Sequence, residues 1–219
     1  MSLRVPFVDF KAHVEALRPE LDAAMGRVLE SGWFVLGPEV EAFERELASS
    51  LGAPEAVAVA NGTEALQLAL TARGVGPGDE VITTSLSAAF TGLAILATGA
   101  RPVFVDVEPG TLNLDPQAAA AAVTPATKAL VPVHLYGHPA DMDPLLALAA
   151  ERGLAVVEDA CQAHGALYRG RPVGTLEGEA GLGALSFYPT KNLGALGDGG
   201  ALLVGSPRAA DRLRRLRNG

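Results

Sequence analysis

The sequence predicts an α/β fold with three layers, in which helices cover both faces of a mostly parallel, mixed central sheet. Three observations support it: short β-branched runs recur, most are continuously apolar, and helical segments separate them. Continuous apolar runs are typical of strands covered on both faces. Strand–helix alternation over residues 56–160 indicates βαβ units with parallel strands. The 219 residues are 49% hydrophobic and 19% charged, which excludes a disordered chain.

The strands are predicted from these apolar runs in chain order. They cover residues 56–60, 80–84, 102–106, 129–133, 154–158, 183–187 and 200–204. No helical segment separates the last two runs, which leaves room for an antiparallel pair in the sheet.

The helices are predicted mainly from their start and stop signals. An N-cap residue followed by proline is a typical helix start, and Gly153 is a typical stop. Starts of this kind are Asp115-Pro116, Asp143-Pro144 and Ser206-Pro207, while Gly37-Pro38 opens a further amphipathic segment. Further helices are expected over 11–31, 62–73 and 88–98.

Charge and composition exclude several classes of partner. The chain has 17 basic and 25 acidic residues, a net charge of −8, which argues against general nucleic-acid binding. Residues 81–100 carry no charge but contain six Ser/Thr, so we interpret them as strand, loop and buried helix and not as a membrane span. The start of the chain has no secretory signal and there is one cysteine, so we expect a cytoplasmic protein without disulfides.

The first candidate site is Asn61-Gly62-Thr63-Glu64, which follows a strand and opens a helix. Ligands of parallel sheets bind beyond the carboxyl ends of the strands. Free amides at a helix start form an anion site, and glycine permits close approach. An ordinary N-cap explains the same residues.

Two further candidates carry charge. Asp159 ends an apolar strand, so its carboxylate is expected to be partly buried and to need a partner or a function; a capping role is the alternative. Lys191 has no other charged residue between Ala180 and Leu196. Desolvation of its ammonium would suit Schiff-base chemistry, while a surface loop lysine is the alternative.

Other site types are disfavoured. His134 and His138 have HxxxH spacing, but the segment between them indicates a loop, and we expect no metal site. No GxGxxG follows a strand, which disfavours a dinucleotide oxidoreductase. A phosphate seat, a strand-end aspartate and an isolated lysine are together what pyridoxal 5'-phosphate (PLP) needs.

The sequence resembles the DegT/StrS family of nucleotide-sugar aminotransferases, which are fold-type I PLP enzymes. Five motifs in the family's order carry the resemblance along essentially the whole chain. They are 31–40 (SGWFVLGPEV), 61–66 (NGTEAL), 132–137 (PVHLYG), 157–165 (VEDACQAHG) and 186–192 (SFYPTKN).

The resemblance implies a role for each matching residue. Lys191 would form the internal aldimine and shuttle the proton, and Asp159 would pair with the pyridine nitrogen; these two are the catalytic residues. Gln162 would lie beside the ring. The implied cofactor-binding residues are Gly62, Thr63, Glu64 (through its amide), Ala88, Asp159, Gln162, Ser186 and Lys191.

The resemblance also implies an activity. An amino group would move from an amino acid, usually glutamate, to a keto group of a nucleotide-linked sugar by ping-pong half reactions, a chemistry that serves polysaccharide biosynthesis. A homodimer with sites at the subunit interface is expected. Alternatives are a catalytically impaired or regulatory protein on this scaffold, or a truncated fragment of such an enzyme.

Two features depart from the family pattern. Most relatives place a ring-stacking aromatic residue where this chain has Ala88; either Phe90 replaces it from a shifted position or the stacking is absent. The expected domains are an N-terminal helix and arm over 1–37 and a PLP-binding large domain over 38–219, incomplete at its C-terminal end. The family's C-terminal small domain is expected to be absent from this chain.

Overall fold

The computed structural model describes residues 8–218, and these divide into two compact units between Phe43 and Glu44. The first unit contains α1 (Phe10–Ser31) and the start of α2 (Pro38–Leu51). Asp9 caps α1 by accepting the Ala12 amide at 3.0 Å, and Gly32 ends it in a left-handed conformation. Both helices agree with the predicted segments.

The second unit contains the strands. In chain order they are β1 (Glu55–Val59), β2 (Glu80–Thr84), β3 (Arg101–Val105), β4 (Thr127–Val131), β5 (Ala155–Val156), β6 (Glu158–Asp159), β7 (Leu167–Tyr168), β8 (Arg171–Pro172), β9 (Leu182–Ser186) and β10 (Gly200–Val204). Every predicted strand is present with bounds shifted by at most two residues, although 154–158 is interrupted at Val157.

Backbone hydrogen bonds join the main strands into one mixed sheet. The orders are β1-β10-β9-β6 and β3-β2-β4-β5. The two parts meet where the Asp159 amide donates to Pro132 O at 2.9 Å and the His134 amide donates to Asp159 O at 3.0 Å. Only β10 runs antiparallel to its neighbours among these strands. The expected mixed sheet is therefore confirmed.

Helices cover both faces of this sheet, which confirms the three-layer prediction. On one face lie α3 (Gly62–Ala72), α4 (Phe90–Ala97) and α7 (Pro207–Arg217); on the other lie α5 (Pro116–Ala121) and α6 (Met142–Arg152). Leu66 and Leu70 of α3 are fully buried against the sheet. Burial of each such side chain contributes roughly 1.5–3 kcal/mol.

Two local features differ from the sequence-based expectation. Asp143 does not cap α6, because the helix begins at Met142 after Asp141, and the Asp143 amide donates to the Tyr168 hydroxyl. The β7–β8 hairpin was not predicted, since strands of two residues carry no alternation pattern.

No helix among residues 8–218 has the length and apolar character needed to cross a bilayer.

Candidate active site

A cavity of about 580 Å³ lies at the carboxyl ends of the parallel strands, on the face covered by α3 and α4. The loops after β1, β2, β6 and β9 supply its walls. Of the predicted site residues, those that line it are Gly62, Thr63, Ala88, Asp159, Gln162, Ser186 and Lys191. Glu64 is not part of its lining.

The start of α3 forms one wall of the cavity. Asn61 caps the helix, because its Oδ1 accepts the Glu64 amide at 2.9 Å, and Glu64 Oε2 accepts the Ala60 amide at 2.6 Å. This reciprocal pairing leaves the Gly62 and Thr63 amides as the first helical donors without an intrahelical acceptor. The Glu64 amide could reach an anion only if Asn61 released it.

Gly62 brings this helix start against the ends of two strands. A Cβ atom at this position would lie 2.8 Å from Cys161 Sγ and 2.8 Å from Ser186 Cβ. A larger residue would therefore have to displace β9 or the segment after β6. Glycine allows the Ser186 hydroxyl and the α3 amides to face the same small volume, which suits a phosphate group.

Asp159 lies on β6 and lines the same cavity. Its side chain is buried, and the residue is only 5% exposed. Oδ2 accepts the Thr91 hydroxyl at 2.7 Å, and Oδ1 accepts the Cys161 amide at 3.2 Å. Each carboxylate oxygen thus has one donor and keeps a lone pair for a ligand.

The neighbouring Glu158 belongs to a different environment. Its side chain is 3% exposed, and its Oε2 lies 3.0 Å from His134 Nε2. His134 Nδ1 accepts the Ala140 amide at 3.0 Å, so the proton of the neutral ring is on Nε2 and is donated to Glu158. The second oxygen, Oε1, has no partner among the described residues.

Lys191 follows β9 and lines the cavity. Its amide donates to Tyr188 O at 2.8 Å, which fixes the turn that carries the side chain. No carboxylate among residues 8–218 lies within salt-bridge distance of its ammonium. Gln162 is also fixed locally, because its Oε1 accepts the Tyr136 amide at 3.1 Å.

Two titratable groups beside these residues were not identified from the sequence. Burial raises the pKa of the Cys161 thiol well above its usual value, and the Asp159 carboxylate adds to the shift. Burial lowers the pKa of the His164 imidazole, whose ring lies 5.6 Å from that of Phe187. Both shifts keep the groups neutral near pH 7.

Phe90 also lines the cavity, together with Ala88, and is 61% exposed. An aromatic side chain is therefore available at the mouth of the cavity, two residues beyond the predicted stacking position. That it stacks on a ring stays a prediction.

The sequence model of the DegT/DnrJ/EryC1/StrS aminotransferase family matches residues 15–219. The chain belongs to this family. It is 55% identical over 215 residues to dTDP-3-amino-3,4,6-trideoxy-alpha-D-glucose transaminase from Streptomyces venezuelae, an alignment that covers 98% of this chain and 56% of that protein.

Solved structures agree with this assignment. S. venezuelae DesV in complex with a ketimine intermediate has a TM-score of 0.94 and 55% identity, with 99% of this chain and 58% of that chain covered. NtdA from Bacillus subtilis with bound cofactor PMP has a TM-score of 0.84 and 36% identity, covering 96% and 47% of the two chains. This family member thus spans about half to three fifths of the length of these relatives.

PLP is the cofactor of this family, and the residues lining the cavity fit it. The Gly62 and Thr63 amides and the Ser186 hydroxyl can donate to a phosphate, and Asp159 can accept from a ring nitrogen. Lys191 offers an amine that no carboxylate of residues 8–218 pairs with. The volume lies within the roughly 300–1,000 Å³ usual for small-molecule sites. Among residues 8–218 no group of three or more His, Cys, Asp or Glu is arranged to hold a metal ion.

Proposed function

We propose that this protein is a PLP-dependent aminotransferase that moves an amino group from an amino acid, glutamate in our proposal, to a keto group of a nucleotide-linked sugar. The observation that carries the proposal is the convergence of Lys191, Asp159 and the start of α3 on one cavity. The family of this chain, and its 55% identity to a dTDP-sugar transaminase, support the substrate class.

Each lining residue has a binding task in this proposal. Gly62, Thr63 and Ser186 hold the phosphate, where the positive end of the α3 dipole adds to the attraction. Asp159 would accept a hydrogen bond from the ring nitrogen, and Gln162 would lie beside the ring. When bound, PLP supplies an electron sink for the charge that develops at the amino-acid Cα.

Lys191 carries out the proton transfers. Its Nζ would hold the cofactor at rest and, when free, would act as the general base that accepts the proton from the amino-acid Cα. The same nitrogen would then act as the general acid that returns the proton. With the keto sugar as acceptor, Lys191 would carry out the two proton transfers in the opposite order.

A second copy of the chain completes the site in this proposal. Four large apolar side chains on α4 and β3 are at least half exposed: Phe90, Leu93, Leu96 and Phe104. Phe90 also belongs to the cavity lining. Contiguous exposed apolar surface of this kind is typical of an interface. A homodimer would bury it and close the cavity mouth.

Borohydride reduction of the PLP-loaded protein, followed by peptide mapping, tests the proposal. The chain has three lysines, so Lys11 and Lys128 serve as internal controls. We expect the cofactor on Lys191, visible absorption lost in Lys191→Ala, and both retained in Lys128→Ala, whose side chain is exposed. Labelling of another lysine, or no uptake of PLP by the wild type, would overturn the assignment.

A donor screen then tests the half reaction. Mixing the PLP-loaded wild type with glutamate should bleach the visible band and release 2-oxoglutarate. An unchanged spectrum with every common amino acid would contradict the aminotransferase proposal even if Lys191 binds the cofactor.

A further inference from the structure

A buried threonine contacts the carboxylate assigned to the ring nitrogen. Thr91, the second residue of α4, is 2% exposed, and its Oγ1 lies 2.7 Å from Asp159 Oδ2. A buried hydroxyl is costly unless it is hydrogen-bonded. Thr91 is not needed as a helix cap, since α4 starts at Phe90 after Ala89. Its hydroxyl is therefore directed to Asp159.

The direction of these hydrogen bonds follows from the number of protons. An ionised carboxylate only accepts, so the single hydroxyl proton of Thr91 is donated to Asp159. Ser87 Oγ lies 3.3 Å from Thr91 Oγ1, which has no further proton to give, so Ser87 donates to Thr91. The order is Ser87 to Thr91 to Asp159.

The two hydrogen bonds run in series, and the second ends on the Asp159 carboxylate. A charge-assisted O–H···O bond of this kind is about twice as strong as a neutral one, and successive hydrogen bonds strengthen each other. With the Cys161 amide on Oδ1, the two donors fix the plane of the carboxylate from both sides. The remaining lone pairs are left facing the cavity that Asp159 lines.

We propose that Thr91, supported by Ser87, is a positioning residue that keeps the Asp159 carboxylate aimed at the ring nitrogen of the cofactor. The proposal rests on the proposed function. Thr91 acts through Asp159 and not by touching the reacting atoms, so its removal should alter how tightly and in which protonation state the cofactor is held.

The chain offers a matched control for a buried threonine. Thr83 on β2 is fully buried, and its hydroxyl donates to Val131 O at 2.8 Å within the sheet. Thr83→Val and Thr91→Val each remove one buried hydroxyl and keep the side-chain shape. Only Thr91→Val removes a donor to Asp159.

The experiment compares PLP-loaded wild type, Thr91→Val, Thr91→Ser and Thr83→Val. The readouts are the PLP dissociation constant, the pH midpoint of the visible absorption change and the thermal unfolding of the cofactor-free forms. We expect Thr91→Val to bind PLP about tenfold more weakly and to shift the pH midpoint. Thr91→Ser should restore both values, while Thr83→Val should lower only the unfolding temperature.

Two outcomes would overturn the proposal. In one, Thr91→Val has the dissociation constant and pH midpoint of the wild type; in the other, Thr91→Ser is as defective as Thr91→Val. Wild type that takes up no PLP would overturn the proposed function as well, so the two failures are distinguishable.

Discussion

Glu158 and Asp159 are adjacent carboxylates on one short strand, yet they have different surroundings. Asp159 faces the large cavity beside α3 and α4, and hydroxyl and amide donors hold it there. Glu158 lines a separate cavity of about 310 Å³ beside α6 and is bound to His134. Alternate side chains of a strand point to opposite faces of the sheet.

Burial alone does not identify a functional carboxylate. Both residues are at most 5% exposed, and both have a hydrogen-bonding partner. The difference is in what remains free: Asp159 keeps acceptor capacity toward a cavity that also contains Lys191. Glu158 is instead paired with a fully buried imidazole.

The largest effect is expected on the Glu158 side. His134→Phe removes the N–H donor to Glu158 and leaves a buried carboxylate without a side-chain partner, at a cost of about 3 kcal/mol in unfolding free energy. Urea unfolding of the cofactor-free protein measures it. The double variant His134→Phe with Glu158→Leu should recover much of the loss, and a fully additive double variant would contradict the pairing.

Asp159→Asn tests the other side of the strand. The amide keeps the shape but loses the charge that holds a protonated ring nitrogen, so we expect roughly 100-fold weaker PLP retention with little change in unfolding free energy. The matched variant is Glu158→Gln, one residue earlier. If Glu158→Gln weakened PLP binding as much as Asp159→Asn, the division of roles would be wrong.

A smaller effect is expected at the helix start that faces Asp159. Gly62→Ala forces a methyl group against Cys161 and Ser186, which should lower the unfolding free energy by about 2 kcal/mol and also weaken phosphate binding. Gly76→Ala is the control, because a Cβ there comes no closer than 4.0 Å to other atoms. Equal stability of the two variants in thermal unfolding would refute the tight contact.

The smallest effect concerns pH. Burial lowers the pKa of His164 in the folded state. At pH values just below the ordinary histidine pKa of about 6.5, the unfolded chain therefore binds more protons than the folded protein. The stability that the neutral His164 contributes is fully present above about pH 6.5 and is lost as the pH falls through the lowered pKa of the folded state. The unfolding temperature between pH 8 and pH 5 should therefore fall less in His164→Gln than in the wild type.

Sequence patterns were sufficient for the fold and for part of the site. The apolar runs and proline-marked helix starts predicted the three-layer fold with a mixed central sheet, because strands buried on both faces are continuously apolar. Asp159 and Lys191 were found because a charge in an apolar segment stands out. The structure brings both to one cavity; their catalytic roles stay predictions.

Other contacts had no sequence signal. Thr91 and Asp159 are 68 positions apart in the chain. Nothing in the sequence distinguishes the Thr91 hydroxyl from the other hydroxyls of its uncharged segment. The His134–Glu158 pair likewise needs the register between β4 and β6. Asp143 was assigned as a cap from the Asp-Pro pattern alone, but Asp141 also precedes the helix. Tertiary packing decides such cases.

The tight contact under Gly62 has a practical consequence. Cys161 is the only thiol of the chain, and it is partly buried in the cavity lining, next to the first turn of α3. A thiol reagent can reach it through the cavity, so the labelling rate reports whether the space beside that turn is occupied. Slower labelling with inorganic phosphate present would measure, without any engineered probe, how strongly an anion occupies the cavity beside that turn.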